Sequence, residues 1–186
     1  MKRIAILGTR GIPASYSGFE TSVQETATRF VEKGYDVTVF CRTNHYKEKL
    51  SNYRGVKLKY LPSIKSKHLD TVTNTFLSIL EVAKNKYDVV ILYGVGNAYF
   101  IPLLKIFCSN VISVVDGADW EREKWGAFAK FVLSTGRNFA VKYADNYVVD
   151  NELLVQNYKN RFKKSPVYIP YGANIPESYN DIYLKN

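Results

Sequence analysis

Short apolar runs of strand length alternate along this chain with longer segments whose apolar residues recur at helical spacing. That alternation leaves few folds open. Ile4–Gly8 is a continuous apolar run closed by glycine, the pattern of a strand buried on both faces. Further strand-like runs are Asp36–Cys41, Val56–Leu61, Asp88–Tyr93, Val111–Val115, Tyr147–Val149 and Val167–Pro170. Between them lie helical patterns. Phe19, Val23, Ala27, Phe30 and Val31 keep helical spacing up to Gly34, and Val72, Phe76, Ile79, Leu80 and Ala83 mark a second helix. Asn97–Phe107, a long stretch from Glu121 to Tyr143, and Asn151–Phe162 complete the series. Strands alternating with helices predict an α/β domain of the Rossmann-like, doubly wound kind. Its sheet should be mainly parallel, with about seven strands and right-handed crossovers.

A chain of 186 residues suits one domain and can bury a full core without disulfides or metals. The hydrophobic fraction of 46% and charged fraction of 23% exclude a disordered or low-complexity class. Lys and Arg number 26 against 17 acidic residues, so 26 − 17 gives +9 and predicts anionic partners. Cys41 and Cys108 cannot form a disulfide framework and fit a reducing compartment. His45 and His68 stand apart without partners at ligand spacing, so no metal is expected. The N-terminal apolar run is too short for a secretion signal, and no run approaches the ~20 residues of a membrane helix. The expected location is the cytoplasm, at most on the inner membrane face.

In open α/β sheets, ligands bind beyond the carboxyl ends of the strands. The first such loop, Thr9 to Ser17, is rich in Gly, Pro and Ser. It fails the dinucleotide fingerprint, because the first, third and sixth positions from Gly8 hold Gly8, Arg10 and Pro13. It fails the P-loop as well, since no Gly-Lys-Ser/Thr follows. What it offers is a helix N-terminus at Gly18-Phe19-Glu20, whose bare amides and positive dipole end can receive a phosphate. Gly18 would let a ligand approach the backbone. Ser17 and Glu20 also read as a capping box, and Arg10 as a solvated surface charge.

The fifth strand runs into Asp116-Gly117-Ala118-Asp119-Trp120-Glu121-Arg122-Glu123-Lys124-Trp125. A carboxylate just past a buried strand can hold a substrate hydroxyl or act as a base. Trp120 and Trp125 offer flat faces suited to sugar rings, while Asp119 reads equally as a helix cap and Trp125 as core. The segment Tyr93 to Asn97, after the fourth strand, belongs to the same carboxyl edge. Beyond Pro170, turn residues and a polar stretch suggest a boundary between domains, with residues 1–170 forming the folded unit.

Gly8-Thr9-Arg10-Gly11-Ile12-Pro13-Ala14, Tyr16-Ser17-Gly18-Phe19-Glu20-Thr21, Val37 to Arg42, Asp116 to Trp125 and Ile169 to Ala173 together resemble one group. It is the amino-terminal half of family 4 glycosyltransferases of GT-B architecture, and more narrowly the bacterial rhamnosyltransferase-like enzymes of polysaccharide biosynthesis. The resemblance implies an acceptor-binding domain that faces a donor domain across a cleft. The donor half of such enzymes uses two glutamates eight positions apart, a spacing no pair of glutamates in this chain has. The resemblance therefore implies that the donor domain is absent, with Tyr171 and Gly172 beginning a hinge over 171–186. It further implies transfer of a hexosyl or rhamnosyl group, with retention and without metal or other cofactor, from a nucleotide-sugar to a polyprenyl-pyrophosphate-linked or glycan acceptor. Capsule or O-antigen synthesis is the expected setting.

By the same resemblance, Ser17, Gly18 and Phe19 would meet the donor diphosphate. Asp116 would act near the reacting carbon. Arg10, Tyr16, Glu20, Tyr93, Asn97, Trp120, Arg122 and Lys124 would contact the acceptor. Family members usually carry two glycines where this chain has Ser17-Gly18, a departure at the phosphate contact.

A stand-alone nucleotide- or dinucleotide-binding module is the alternative, with Arg42 suited to a 2′-phosphate. No nucleic-acid motif accompanies the basic balance, and nucleic acid is not expected as a partner. An anionic membrane surface is expected. Lys57, Lys59, Lys65 and Lys67 cluster around the third strand, and Trp125, Phe128, Phe131, Val132 and Phe139 alternate with Lys124, Lys130, Arg137 and Lys142.

Overall fold

The computed structural model describes residues 1–15, 17–66, 69–115 and 126–172. Strand β1 is Arg3–Leu7, followed by helix α1 (Gly18–Glu32) and strand β2 (Asp36–Arg42). A 3-10 turn, Thr43–His45, leads to a short hairpin of β3 (Asn52–Tyr53) and β4 (Val56–Leu61). Helix α2 (Leu69–Asn85), strand β5 (Val89–Tyr93), a 3-10 segment (Val95–Phe100), helix α3 (Ile101–Phe107) and strand β6 (Val111–Val114) follow. Helix α4 (Ala127–Tyr143), strand β7 (Asn146–Val149), helix α5 (Glu152–Phe162) and strand β8 (Val167–Tyr168) complete the described chain.

All eight strands form one sheet in the order β3-β4-β2-β1-β5-β6-β7-β8. Every pairing is parallel except β3 with β4. The doubly wound expectation holds. The added eighth strand is the two-residue β3, too short to carry an alternating signature. Chain order runs outward from β1 in one direction and resumes at β5 in the other, so the topological switch point lies between β1 and β5. In open α/β sheets the ligand crevice lies there, beyond the carboxyl ends of the strands.

The period of two sorts each strand between two cores. Ala5, Leu7, Phe40, Val90 and Leu92 face a core shared with Ile79 and Val82 of α2, Leu104 of α3, Ala140 of α4 and Tyr158 of α5. Ile4, Ile6, Val37, Val39, Cys41 and Ile91 face a second core, closed by Val23 and Ala27 of α1. Pro102 sits in the first turn of α3, where its missing N–H costs nothing, so this helix begins at the proline and is not kinked by it.

Helix α2 departs from its apolar stripe. Val72, Phe76 and Leu80 are exposed, at 40%, 43% and 40%. The side turned inward carries Asn74, Thr75 and Ser78 together with Ile79 and Val82. The polar residues win because the carboxyl edge needs partners. Asn74 Nδ2 donates to the Leu61 carbonyl at 3.2 Å, and Thr75 Oγ1 to Asn97 Oδ1 at 3.1 Å. These bonds satisfy the Leu61 and Asn97 oxygens, while Asn74 Oδ1 is itself buried with no hydrogen-bond partner among the described residues.

In α4 the expected interfacial face divides. Phe128 and Phe131 are exposed, whereas Phe139 packs on the core and Arg137 is 1% exposed. Arg137 lies over the Phe162 ring and donates to Ser134 Oγ, so it is a core residue and no surface charge. Among the described residues no helix is long and apolar enough to cross a membrane.

Leu104 is fully buried and Leu153 is 78% exposed. Leu104→Ala should destabilise the fold by ~2–5 kcal/mol. Leu153→Ala should change stability by less than ~0.5 kcal/mol. Urea unfolding of both variants checks the packing of α3.

Candidate functional site

The crevice is built around the loop from Gly8 to Ser17, which is tied to its surroundings at almost every step. Gly8 and Gly11 both have positive φ, +100° and +115°. A Cβ at Gly8 would overlap the Tyr93 carbonyl oxygen, and one at Gly11 would overlap the Cys41 side chain, so only glycine fits. Thr9 Oγ1 accepts from the Gly11 amide at 3.2 Å. The Arg42 amide donates to the Arg10 carbonyl at 2.8 Å. Tyr46 Oη donates to the Pro13 carbonyl at 3.3 Å, and the Ala14 amide to Gln24 Oε1 at 2.9 Å.

Ser17 caps α1, with its Oγ accepting from the Glu20 amide at 3.5 Å. The reciprocal half of the expected capping box is absent. The Glu20 carboxylate instead accepts from the Ser15 amide at 3.3 Å and pairs with Arg10 at 3.9 Å. Glu20 is 2% exposed and serves to hold the loop. Gly18 opens the helix with nothing within 4 Å of a Cβ position, so the backbone at this helix end can be approached closely. Phe19 packs edge-on against Tyr93, ring centroids 5.7 Å apart.

Two residues expected to touch the acceptor are internal. Tyr93, 3% exposed, shares a hydrogen bond with Ser22 Oγ at 3.3 Å. Burial raises its phenol pKa, only partly offset by bonds from Ser22 and Thr26. Asn97, 2% exposed, spends its amide nitrogen on the Tyr93 carbonyl (2.8 Å) and the Gly8 carbonyl (3.3 Å) and its oxygen on Thr75. Direct acceptor contact by Glu20, Tyr93 and Asn97 thus gives way to positioning, because a buried side chain with its groups already paired has none to offer a ligand.

Arg10 stays one-third exposed at the crevice mouth. Tyr171 and Gly172 lie exposed past β8. Tyr16, Lys67, Asp116, Trp120, Arg122, Lys124 and Trp125 lie outside the described residues.

A second cluster, which sequence reading missed, sits where β2 and β4 end. Arg42 Nη1 pairs with Asp70 Oδ2 at 2.7 Å, His45 Nε2 lies 3.1 Å from the same oxygen, and Ser63 Oγ donates to Oδ1. Burial alone would push the Asp70 carboxyl up. Hydrogen bonds from Ser63, His45 and Arg42, together with the Arg42 charge, outweigh it and hold the pKa below the usual aspartate value. Arg42 is 7% exposed and committed to this pair, which removes the support it lent to a 2′-phosphate site. The available signal was positional. Arg42, Ser63 and Asp70 follow the ends of adjacent parallel strands or open the next helix, though they are far apart in sequence. Of the lysines around β4, Lys57 and Lys59 are paired with Asp36 and Glu81.

A parallel sheet with a tethered first loop and a helix N-terminus at its switch point defines a class, the Rossmann-like doubly wound α/β domains. The chain belongs to the family described as domain of unknown function DUF1972, whose match spans residues 1–174. A sucrose-phosphate synthase from Thermosynechococcus elongatus has a similar structure, at TM-score 0.61 and 14% identity, covering 93% of this chain and 91% of that one. A Klebsiella pneumoniae protein, titled an uncharacterized 42.6 kDa protein in the cps region, is 39% identical over 59 residues. That match takes in 32% of this chain and only 16% of the Klebsiella protein's length.

Two outcomes check this geometry. Gly8→Ala should destabilise the chain by at least ~2 kcal/mol, since it combines a positive φ with a backbone overlap. Gly18→Ala should be neutral within ~0.5 kcal/mol, and chemical denaturation reads both. For Asp70, the folded pKa lies below the unfolded one, so its stabilisation is present above the unfolded value and is lost as pH falls through the folded one. Asp70→Asn should therefore lower Tm at neutral pH, and the difference from wild type should shrink as pH falls below ~4 and vanish only below the folded pKa.

Proposed function

We propose that this chain is the acceptor-side domain of a glycosyltransferase of surface-polysaccharide synthesis. In this reading the enzyme moves a hexosyl or rhamnosyl group from a nucleotide-sugar to a lipid-linked or glycan acceptor, with retention of configuration and without a metal. The observation that carries the reading is the approachable backbone of Gly18 at the N-terminus of α1, reached from a loop that Asn97 and Glu20 tether at Gly8 and Ser15. The cps-region title of the Klebsiella protein supports the polysaccharide setting.

Ser17, Gly18 and Phe19 receive the donor diphosphate, whose developing negative charge the α1 amides and dipole stabilise as the glycosidic bond breaks. The departing phosphate takes the proton of the acceptor hydroxyl as that oxygen bonds to the same face of the anomeric carbon. Arg10 neutralises anionic groups of the acceptor, assisted by Tyr16, Trp120, Arg122 and Lys124. Asp116 orients the reacting hydroxyl. Glu20, Tyr93 and Asn97 keep the loop in place. Tyr171 and Gly172 lead toward the donor-binding half, and the enzyme works at the cytoplasmic membrane face.

The test is transfer of labelled sugar by the full-length protein that carries this chain, using a panel of nucleotide-sugars and a prenyl-pyrophosphate-linked acceptor. Asp116→Ala should lower kcat by ~10²-fold or more with little change in Tm. Activity within a few-fold of wild type would make Asp116 structural, and no transfer from any donor would reject the reading.

A further inference from the structure

The apolar residues left outside the core gather in one place. Between the loop after β4, the exposed side of α2 and the 3-10 segment before α3 lies a groove of about 630 Å³. Its walls are Pro62, Ile64, Val72, Phe76, Leu77 and Phe100, with Ser63 and Thr73 between them. Phe76 and Phe100 face one another at 6.4 Å. The volume is that of a small-molecule site, ~300–1,000 Å³.

The polar groups that such a wall would present are already used. Ser63 Oγ is held by Asp70, and the Ser63 carbonyl accepts from Asn44 Nδ2 at 2.8 Å. Thr73 Oγ1 donates to the Leu69 carbonyl at 2.7 Å and accepts from the Ile64 amide at 3.1 Å. The Ile64 carbonyl accepts from the Ser66 amide at 2.7 Å. A peptide or a sugar laid here would bury its own donors and acceptors without partners, at a cost that apolar contact does not offset. A hydrocarbon chain meets the wall without that loss.

The groove lies at the carboxyl edge of the sheet, as the crevice does, but on the face that α2 covers rather than the face that α1 covers. The residue that follows Ile64 in the chain is an exposed cation. Lys65, exposed beside Ile64, is joined to no acid among the described residues, and the nearby Asp70 carboxylate is neutralised by Arg42. Apolar walls with a cation beside them match an amphiphile whose single hydrocarbon chain carries an anionic head.

We propose that this groove holds the hydrocarbon tail of the lipid-linked acceptor, with the phosphate end of that lipid at Lys65 and its sugar toward the α1 crevice. The proposal rests on the glycosyltransferase reading and specifies how its acceptor is bound. Burial of the tail contributes affinity in proportion to chain length, about fourfold for each methylene removed from water.

The experiment titrates the chain with inorganic pyrophosphate, then with dimethylallyl, geranyl and farnesyl diphosphates below their micelle concentrations. Affinity should rise at each step and exceed that for pyrophosphate by at least ~100-fold at farnesyl. Val72→Glu and Phe76→Gln alter exposed side chains, so circular dichroism and Tm should stay at wild-type values while the dependence on length disappears. Equal affinity across the series, or a length dependence that survives both variants, overturns the proposal. Binding to neutral phosphatidylcholine vesicles that both variants abolish, without length dependence in the soluble series, overturns it in favour of docking on the bilayer surface. A dimer that Val72→Glu dissolves, again without length dependence, overturns it in favour of a second copy of this chain. Transfer to a lipid-linked acceptor that Val72→Glu leaves unchanged would sink the groove alone. Length-dependent binding with no transfer from any donor would sink the functional reading alone.

Discussion

Asn97 is the joint on which the carboxyl edge of this domain depends. One buried amide gathers the carbonyls of Gly8 and Tyr93 and the hydroxyl of Thr75, so it ties β1, β5 and α2 together at the switch point of the sheet. With its oxygen and nitrogen both spent, the side chain has one workable orientation. Gly8 can lie against the Tyr93 carbonyl because it has no Cβ, and the loop leaves the sheet along a path that its neighbours then hold. The position of the α1 N-terminus is a consequence. Replacing Asn97 would strand the Gly8 and Tyr93 carbonyls and the Thr75 hydroxyl, which is how a small network comes to govern a large part of a fold.

The same need for polar partners explains why α2 turns as it does. Its sequence carries an apolar stripe that would ordinarily face the sheet, yet Asn74, Thr75 and Ser78 are buried and Val72, Phe76 and Leu80 are left outside. Satisfying Leu61, Asn97 and its own turn of helix took precedence over burying three apolar side chains. The exposed stripe then meets Phe100 and the loop after β4 and forms a groove. The crevice and the groove are two results of one constraint, applied to the two sides of the same edge.

Charge follows a similar logic. The excess of basic residues suggests a uniformly cationic surface, but several of the cations serve the structure. Arg42 is held by Asp70, Lys57 by Asp36, Lys59 by Glu81, and Arg137 lies inside against Phe162. Arg10 remains partly open at the crevice and Lys65 is exposed at the groove. The distribution of exposed charge, more than its sum, determines where an anionic ligand can be held.

The alternation of apolar runs determined the doubly wound sheet. Strand and helix periods are local properties, and a parallel sheet flanked by helices is the arrangement that buries both. The cap at Ser17 and the turn at Gly34 were legible for the same reason, because they depend on a few neighbouring residues. The hairpin strand β3 was not, since two residues have no period. Tyr93 and Asn97 fall just after a strand and Glu20 lies in the first turn of a helix, both places where ligand contacts are expected. Only the tertiary structure revealed that their polar groups are already paired within the protein. Arg42, Ser63 and Asp70 are separated by many residues, and it is parallel pairing of β2 with β4 that brings their segments side by side. Local propensity could say which segments are strands and helices. Which face of α2 turned inward, and which charges were left free, depended on hydrogen-bond partners that only the assembled sheet supplied.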